Sequence, residues 1–514
     1  MKTNNDGSEK QVEEKRFKKS FITLYKLYFD KLMEKFVFFL FLTFILGNLR
    51  AQEIVSVTYG GYLTKAEISN YIGLPVAQYD CDYFKVTYKS KDAKGNLDTL
   101  SALLAIPVED VSNTYPLLFY EHGTSSCKEC VPSRFPNPEG EEGYAGIFFA
   151  SLGYVALLPD YVGMGDGSGF QSYVHDTTSF TASVDLLNAF KTWAPDNNII
   201  INDQLFITGY SQGGYSSMSF HKEMQNKYGP SSVTAAAHNS GPYSLSGVMR
   251  DLVINDSVYS SPAYIPNTVL GLNEVYEMYS NLDEFFKPEF INVVQKYYNG
   301  EISLFLLNQN LILTLNSLYG EAIANKMIIN SVMDEFINNP DYIINKVLRD
   351  NDVFDWTPES PTRLFYCKAD DQVPYKNAIE AINKMYSNGA DQQLVQAIDL
   401  GESLDHGGCY YPSLFETMLF FDNYKDNTSG VEDIKGINIT IFPNPTSKKI
   451  LLDGNSDGNV NVKIFDMNGK LKVDISSHNL TNEIDVSSLD NGVYIIQIEN
   501  KEGATSYRKF VVGK

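Results

Sequence analysis

The chain has 514 residues, of which 43% are hydrophobic and 20% are charged, and this composition is typical of a globular protein with two or three domains. Its formal net charge of −22 at pH 7 argues against nucleic acid and anionic membrane surfaces as partners. The charge favours solubility but indicates no chemistry.

The N-terminus contains an uncharged apolar run of 11 residues, 36–46. This run is too short to span a bilayer and has the length of a signal-peptide core. Ala51 offers a small residue at a cleavage position. We therefore expect residues 1–51 to be an N-terminal extension and signal peptide, with Met33 as an alternative start to Met1. An amphipathic anchor helix is the less favoured interpretation.

Residues 52–424 alternate between short apolar runs and longer helical patterns. The predicted strands are Tyr83–Lys89, Thr99–Pro107, Pro116–Glu121, Tyr154–Pro159, Leu205–Thr208, Val233–His238, Arg363–Lys368 and Gln393–Leu400. The predicted helices are Gly143–Leu152, Asp176–Trp193, Tyr215–Lys227, Pro374–Asn388 and Tyr410–Tyr424, with a short helix over Thr64–Gly73 in the lead-in segment. This alternation predicts an α/β fold with a mostly parallel sheet that helices cover on both faces.

The pattern changes in two places. Residues 244–360 hold several helical patterns rich in Leu, Ile, Phe and Tyr, and we interpret them as a helical cap inserted between two late strands. Residues 425–436 are a polar linker. Beyond it, residues 437–514 alternate with period two and contain hairpin-type turn pairs, which predicts a small all-β sandwich. Its predicted strands are Ile439–Pro443, Lys449–Leu452, Val460–Asp466, Glu483–Val486, Val493–Glu499 and Tyr507–Val512.

The residues around Ser211 predict a nucleophile elbow. An apolar strand, Leu205–Thr208, leads into the pattern G-x-S-x-G-G, and a helical stretch follows. Such a turn needs glycines on both sides of the serine, because neighbouring backbone approaches closely there. A bare G-x-S-x-G is weak evidence, so the assignment depends on the residues that accompany it.

A nucleophilic serine needs a base that is itself oriented by a carboxylate, and in this type of sheet the order along the chain is Ser, Asp, His. His406 lies in a glycine-flanked loop after the last predicted strand of the body, and Asp370 follows the strand before it. We therefore predict Ser211 as nucleophile, His406 as base and Asp370, rather than Asp371, as the orienting acid.

The backbone amides of Gln212 and Thr124 are the predicted oxyanion-hole donors, because one follows the nucleophile and the other follows the strand that ends at Glu121. The sequence does not distinguish which of the two amides in the loop after Glu121 points inward. His122 is interpreted as a side chain that braces its own loop. The five cysteines suggest one or two disulfides and at least one free thiol, with Cys127–Cys130 as a possible local bridge. A lone C-x-x-C is weak evidence for a metal site, so no metal or cofactor is predicted.

Together these motifs resemble the α/β-hydrolase superfamily, and within it the exported lipase and esterase group related to secretory lipases. The resemblance spans roughly residues 55–424 and rests on His122-Gly123-Thr124, Pro159-Asp160-Tyr161-x-Gly163-x-Gly165, Gly209-Tyr210-Ser211-Gln212-Gly213-Gly214, Gly241-Pro242-Tyr243, Ala369-Asp370-x-x-Val373-Pro374 and His406-Gly407. It implies Ser211, Asp370 and His406 as the triad, a cap over the pocket and no cofactor.

The C-terminal segment resembles the sorting domain of type IX secretion. The motifs that carry this resemblance are Phe442-Pro443-Asn444-Pro445, Ile464-Phe465-Asp466-Met467-Asn468-Gly469, Leu489-x-x-Gly492-Val493-Tyr494 and the ending Lys509-Phe510-Val511-Val512-Gly513-Lys514. It implies export through the periplasm to the cell surface or beyond, with the type IX machinery as a partner. The apolar run near the N-terminus agrees with this route.

The function expected from the sequence is hydrolysis of carboxylic esters, of small molecules or lipids, through an acyl-enzyme on Ser211. A serine peptidase on the same scaffold ranks lower, since no large substrate-gating domain precedes the body. A non-catalytic surface binding protein that keeps the hydrolase shell is the alternative from another class. The length of the acyl chain cannot be read from the sequence.

Overall fold

The computed structural model describes residues 53–73, 76–108, 114–137, 141–426, 439–444, 446–454, 458–466, 470–480, 482–501 and 505–513. The expected signal peptide and most of the expected linker lie outside the described residues. None of the helices in these ranges combines the length and hydrophobicity that a membrane crossing requires.

A nine-stranded sheet forms the centre of the body, residues 53–426. Its strands are β1 Ile54–Leu63, β2 Asp80–Lys91, β3 Leu97–Val108, β4 Tyr115–Glu121, β5 Val155–Pro159, β6 Ile201–Tyr210, β7 Ala235–Asn239, β8 Thr362–Tyr366 and β9 Val395–Asp399. They lie in the order β1-β2-β3-β5-β4-β6-β7-β8-β9. Strands β4 to β9 are parallel to one another, whereas β1, β2 and β3 are antiparallel at one edge. The prediction of a mostly parallel sheet is confirmed.

Helices follow most of the strands. They are α1 Lys65–Ile72, α2 Gly143–Ser151, α3 Asp176–Trp193, α4 Gln212–Tyr228, α5 Arg250–Ile254, α6 Tyr264–Tyr276, α7 Pro288–Tyr298, α8 Leu304–Tyr319, α9 Asn330–Asn338, α10 Ile343–Asp350, α11 Lys376–Ser387 and α12 His406–Asp422. Helices α2 and α12 contribute Phe149 and Phe421 to the core on one face of the sheet. Helices α3 and α4 contribute Phe190 and Phe220 on the other face, so both faces are covered as predicted.

Helices α5 to α10 lie between β7 and β8, in the segment interpreted from the sequence as a cap. Their apolar faces form a core of their own around the fully buried side chains of Phe286, Phe290, Leu307 and Leu311. This core is continuous with Tyr215 of α4, the helix that starts at the elbow. The cap therefore packs directly over the end of the sheet at which β6 and β8 terminate.

The C-terminal strands form two small antiparallel sheets. The strands are β10 Ile439–Phe442, β11 Lys449–Gly454, β12 Val460–Asp466, β13 Leu471–His478, β14 Ile484–Asp485, β15 Gly492–Glu499 and β16 Thr505–Val512. One sheet has the order β10-β11-β14 and the other β13-β12-β15-β16. Ile450, Val462, Ile496 and Phe510 are buried in a shared core, as expected for a small all-β sandwich.

Two elements of the body differ from the sequence-based expectation. The lead-in segment contains a full strand, β1, whose side chains are mostly exposed and whose pairing with β2 shifts register between Tyr59 and Gly61, where Gly60 packs on the ring of Tyr83. The loop expected around His406 is instead the first turn of α12, because Asp405 Oδ1 accepts a hydrogen bond from Gly408 N at 2.7 Å and caps the helix.

Candidate active site

Ser211 occupies a strained turn between β6 and α4. Its φ of 58° and ψ of −120° lie outside the regions that a residue with a side chain normally adopts. The turn is held because Ser211 N donates a hydrogen bond to Asn239 O of the neighbouring strand, at 2.9 Å. Ser211 is 6% exposed and belongs to the lining of an apolar cavity.

The glycines around Ser211 are required by close backbone packing. A Cβ at Gly209 would overlap the carbonyl oxygen of Gly213, and a Cβ at Gly213 would overlap that of Glu121. A Cβ at Gly214 would meet the carbonyl oxygen of Asn239. The pattern G-x-S-x-G-G is therefore explained by sterics in this turn, and a chance match would not show such contacts.

Asp370 and His406 are in direct contact. Asp370 Oδ2 lies 2.7 Å from His406 Nδ1, and both side chains are almost fully buried. Asp370 Oδ1 accepts hydrogen bonds from the backbone amides of Gln372 at 3.0 Å and Val373 at 2.8 Å. These amides fix the carboxylate, and the carboxylate fixes the imidazole, so the second ring nitrogen is left for another partner.

Tyr210 links this pair to the elbow. Its hydroxyl donates to His406 O at 2.5 Å, and the two rings lie 5.0 Å apart between centroids. Since Tyr210 immediately precedes Ser211, the nucleophile and the base candidates meet at one end of the sheet. Within the described part of the chain, no hydrogen bond joins the Ser211 hydroxyl to His406.

Of the two predicted oxyanion donors, Gln212 directly follows Ser211, and Thr124 belongs to a loop that packs against the elbow. Gln212 is the first residue of α4, and the first amides of a helix have no partner within that helix. The loop 122–124 packs against the same turn, because a Cβ at Gly213 would also touch His122 O and one at Gly123 would lie 3.6 Å from Tyr210 O. Thr124 Oγ1 is hydrogen-bonded to the hydroxyl of Tyr173 at 2.9 Å.

His122 is fully buried and braces its loop. Its Nδ1 lies 2.8 Å from Gly123 O, and its Nε2 lies 3.3 Å from Asp160 O. Burial lowers the pKa of His122 to about 4, so the ring is neutral at physiological pH. The sequence-based interpretation of His122 as a bracing side chain agrees with these contacts.

Glu121 is a buried carboxyl group that the sequence analysis did not single out. It pairs in register with Gly209 under the elbow, and its Oε1 accepts a hydrogen bond from Ser183 at 2.6 Å. Burial raises the pKa of Glu121 to about 8, so it is protonated and uncharged at neutral pH. The sequence did offer a signal for this buried carboxyl group, since Glu121 is a charged residue at the end of the apolar run that starts at residue 116.

The cavity that Ser211 lines extends into the cap and has a volume of about 100 Å³. Beyond the serine, its wall is formed almost entirely by apolar side chains, among them Leu272, Phe285, Val332, Phe336 and Ile344. The tyrosine hydroxyls nearest the site are already bonded, Tyr259 to Gln372 O at 2.9 Å and Tyr264 to Gln372 Oε1 at 2.8 Å. The cavity thus offers a polar end at Ser211 and an apolar interior.

Two disulfides are present among the described residues, Cys127–Cys130 and Cys367–Cys409, and Cys81 is a buried free thiol. The first bridge was considered in the sequence analysis, and the second could not be identified from spacing. No cluster of three or more His, Cys, Asp or Glu side chains suited to a metal ion occurs in the described ranges. Disulfides persist in oxidising compartments, which fits an exported protein.

The chain was compared with family models, curated proteins and solved structures. Residues 440–513 match the model described as the secretion system C-terminal sorting domain. This segment is therefore a sorting domain of type IX secretion, which interacts with that machinery and directs export to the cell surface or outside the cell. The comparison with curated proteins found no match.

Several solved structures share the fold of the body. A Legionella pneumophila protein classed as a hydrolase is 24% identical with a TM-score of 0.65, covering 74% of this chain and 100% of its own. The rice cell wall degrading esterase LipA of Xanthomonas oryzae is 22% identical with a TM-score of 0.62, covering 73% and 96%. Candida antarctica lipase A in its closed state is 14% identical with a TM-score of 0.53, covering 74% and 85%. The likeness establishes the α/β-hydrolase fold.

Proposed function

We propose that this chain is a secreted serine hydrolase that cleaves carboxylic esters with a long apolar acyl group. The observation that carries the proposal is the strained elbow of Ser211, which opens on an apolar cavity beside the Asp370–His406 pair. The similar solved structures include an esterase and a lipase, which supports the same reaction class. The sorting domain supports an extracellular site of action.

In the proposed reaction, His406 accepts the proton of the Ser211 hydroxyl as Ser211 attacks the ester carbonyl. Asp370 holds the tautomer in which Nε2 of His406 is the free acceptor. The amides of Gln212 and Thr124 stabilise the oxyanion, and His406 then protonates the departing alcohol. Water releases the acid from the acyl-enzyme by the same steps. Catalytic hydrogen bonds often tighten only when substrate is bound, so Ser211 and His406 need to approach during binding.

The cavity supports the choice of acyl group. An ester whose carbonyl carbon contacts Ser211 can extend its acyl chain into the apolar space between the cap helices, and burial of each methylene there contributes about 0.8 kcal/mol. An acetyl group has no methylene to bury against the apolar cap side chains that line the cavity. The proposed enzyme therefore prefers long-chain esters to short ones.

The test is hydrolysis of p-nitrophenyl esters from acetate to palmitate, with labelling by a fluorophosphonate probe. We expect turnover that rises with chain length and a probe adduct on Ser211. Ser211→Ala should abolish both, whereas Ser257→Ala, which changes an exposed serine of the cap, should change neither. Wild-type turnover by Ser211→Ala would contradict the proposal. Cleavage of peptides without cleavage of esters would favour a peptidase, and absence of labelling would favour a binding protein.

A further inference from the structure

The Cys367–Cys409 disulfide joins the two segments that carry Asp370 and His406. Cys367 follows the last residue of β8 and lies three positions before Asp370, whereas Cys409 lies three positions after His406 in the first turn of α12. Both cysteines are fully buried, with a relative exposure of 0%. The bridge closes 42 residues of chain and lies directly behind the acid and the base.

Each half of the bridge makes a backbone hydrogen bond within its own turn, one to Asp370 itself and the other to the residue before His406. Asp370 N donates to Cys367 O at 3.3 Å, and Cys409 N donates to Asp405 O, just before His406, at 3.0 Å. The disulfide and the His406–Asp370 hydrogen bond therefore both connect the same two segments of the chain. The hydrogen bond can break during each catalytic cycle, whereas the disulfide bond stays intact.

The bridge also contacts the elbow. Cys367 and Cys409 pack with Tyr210, which precedes Ser211 and donates its hydroxyl hydrogen bond to His406 O at 2.5 Å. Ser240 Oγ also donates a weak hydrogen bond to Cys409 Sγ, at 3.9 Å. The two sulfur atoms thus lie where three parts of the chain meet: the end of β6 before Ser211, the turn that carries Asp370, and the start of α12 that carries His406.

We propose that the Cys367–Cys409 disulfide is a positioning element that holds His406 on Asp370 and against the elbow, an inference that rests on the proposed function. The other bridge has no comparable position, since Cys127–Cys130 closes only a local turn with a sequence separation of 3. A bridge that served stability alone would raise the unfolding temperature without affecting the chemistry of the folded molecule. A positioning bridge affects kcat in molecules that are fully folded.

The experiment compares the full chain carrying Cys367→Ala and Cys409→Ala with the wild type and with Cys81→Ala, which removes the buried free thiol. Near-UV circular dichroism and thermal unfolding establish that the proteins are folded at the assay temperature. We expect the paired variant to lose about tenfold to a hundredfold in kcat for a p-nitrophenyl ester, with KM changed by less than about twofold, because small misplacement of catalytic groups is costly. Its rate of fluorophosphonate labelling should fall by a similar factor, and Cys81→Ala should match the wild type.

A spectroscopic measurement separates this inference from the proposed function. The proton between His406 Nδ1 and Asp370 should give a low-field NMR resonance that is absent in His406→Ala, and the paired variant should lose or broaden it. This readout needs no substrate. If the wild type neither hydrolyses esters nor reacts with the probe, the proposed function fails. The resonance then still tests whether the disulfide holds His406 on Asp370.

A paired variant that unfolds at lower temperature but keeps the wild-type kcat, labelling rate and resonance would overturn the inference. If the alanine pair does not fold, Cys367→Val with Cys409→Ala restores apolar volume and is judged by the same criteria. Failure of both pairs to fold would also overturn it, because the bridge would then be required for the fold as a whole.

Discussion

The carboxylate of Asp370 lies 2.7 Å from Nδ1 of His406. Its other oxygen is held by two backbone amides of its own turn, so the carboxylate is fixed before it orients the imidazole. The adjacent Asp371 makes a different contact, since its Oδ1 accepts only the backbone N–H of His406 at 3.2 Å. The two neighbouring aspartates are therefore expected to contribute unequally to catalysis.

Asp370→Asn should lower kcat by about 10⁴-fold, because the amide favours the wrong imidazole tautomer, as it does in enzymes with a Ser-His-Asp triad. Asp371→Asn serves as the matched variant and should lower kcat by about tenfold at most, the effect of one weakened hydrogen bond. Steady-state kinetics with a p-nitrophenyl ester measure both. Equal losses, or a larger loss for Asp371→Asn, would contradict the assignment of Asp370.

Two glycines with different surroundings provide a second test. Gly213→Ala should prevent the elbow from forming, because the new Cβ would overlap the carbonyl oxygen of Glu121, so we expect loss of activity and a clearly lower unfolding temperature. Gly407→Ala is the matched variant, since a Cβ there meets only Asp405 Oδ1 at 3.9 Å.

Gly407 lies in the first turn of α12, where alanine is a better helix former than glycine. This variant should fold with wild-type or slightly higher stability, as measured by thermal unfolding. If Gly213→Ala were as stable and active as Gly407→Ala, the close packing of the elbow against Glu121 would be incorrect.

Much of the body could be predicted from the sequence because its strands are buried and its helices are long. The helix Asp176–Trp193 was predicted with the bounds that the structure gives. Strands β1 and β13 were missed because they are edge strands with mostly exposed side chains, so their residues do not show the apolar pattern of a buried strand. Hydrophobic periodicity reveals buried strands, and the side chains of these edge strands are mostly not buried.

The site was less accessible from the sequence than the fold. Chain order placed Ser211, Asp370 and His406 after three strands, but contacts between distant positions leave no local pattern. The Cys367–Cys409 bridge spans 42 residues, and its pairing became visible only once β8 and α12 were adjacent. The role of Asp371 and the protonation of Glu121 likewise depend on neighbours that lie far away in the sequence.

From the surroundings of His221 and His238 we predict how the free energy of unfolding depends on pH. The two rings are fully buried, with His221 Nδ1 and His238 Nε2 3.2 Å apart, and they bond to Ser360 and Ser217. Burial lowers the pKa of His221 to about 3 and holds that of His238 well below its usual range. Below about pH 6.5 the unfolded chain binds protons on these rings and the folded chain does not, so their contribution to stability is complete above pH 6.5 and decreases as the pH falls toward 3.

For one such histidine, the free energy of unfolding should fall by about 2 kcal/mol between pH 7 and pH 5. His221→Gln retains a side chain that can bond Ser360 but cannot titrate, so it should lose about 2 kcal/mol less than the wild type over this interval. Urea unfolding at the two pH values measures the difference. An unchanged pH dependence in His221→Gln would show that His221 is not a buried neutral ring.

The cavity predicts a residue that limits acyl length. Val332 of α9 lines the cavity among the cap helices, whereas Leu313 of α8 is 69% exposed and does not line it. Val332→Phe should fill part of the apolar interior, so kcat/KM should fall for laurate and palmitate esters and remain near wild type for butyrate. Each excluded methylene should cost about fourfold in kcat/KM, since its burial contributes about 0.8 kcal/mol. Leu313→Phe is the matched variant and should leave the chain-length profile unchanged. Equal loss on short and long esters in Val332→Phe would place the acyl chain outside this cavity.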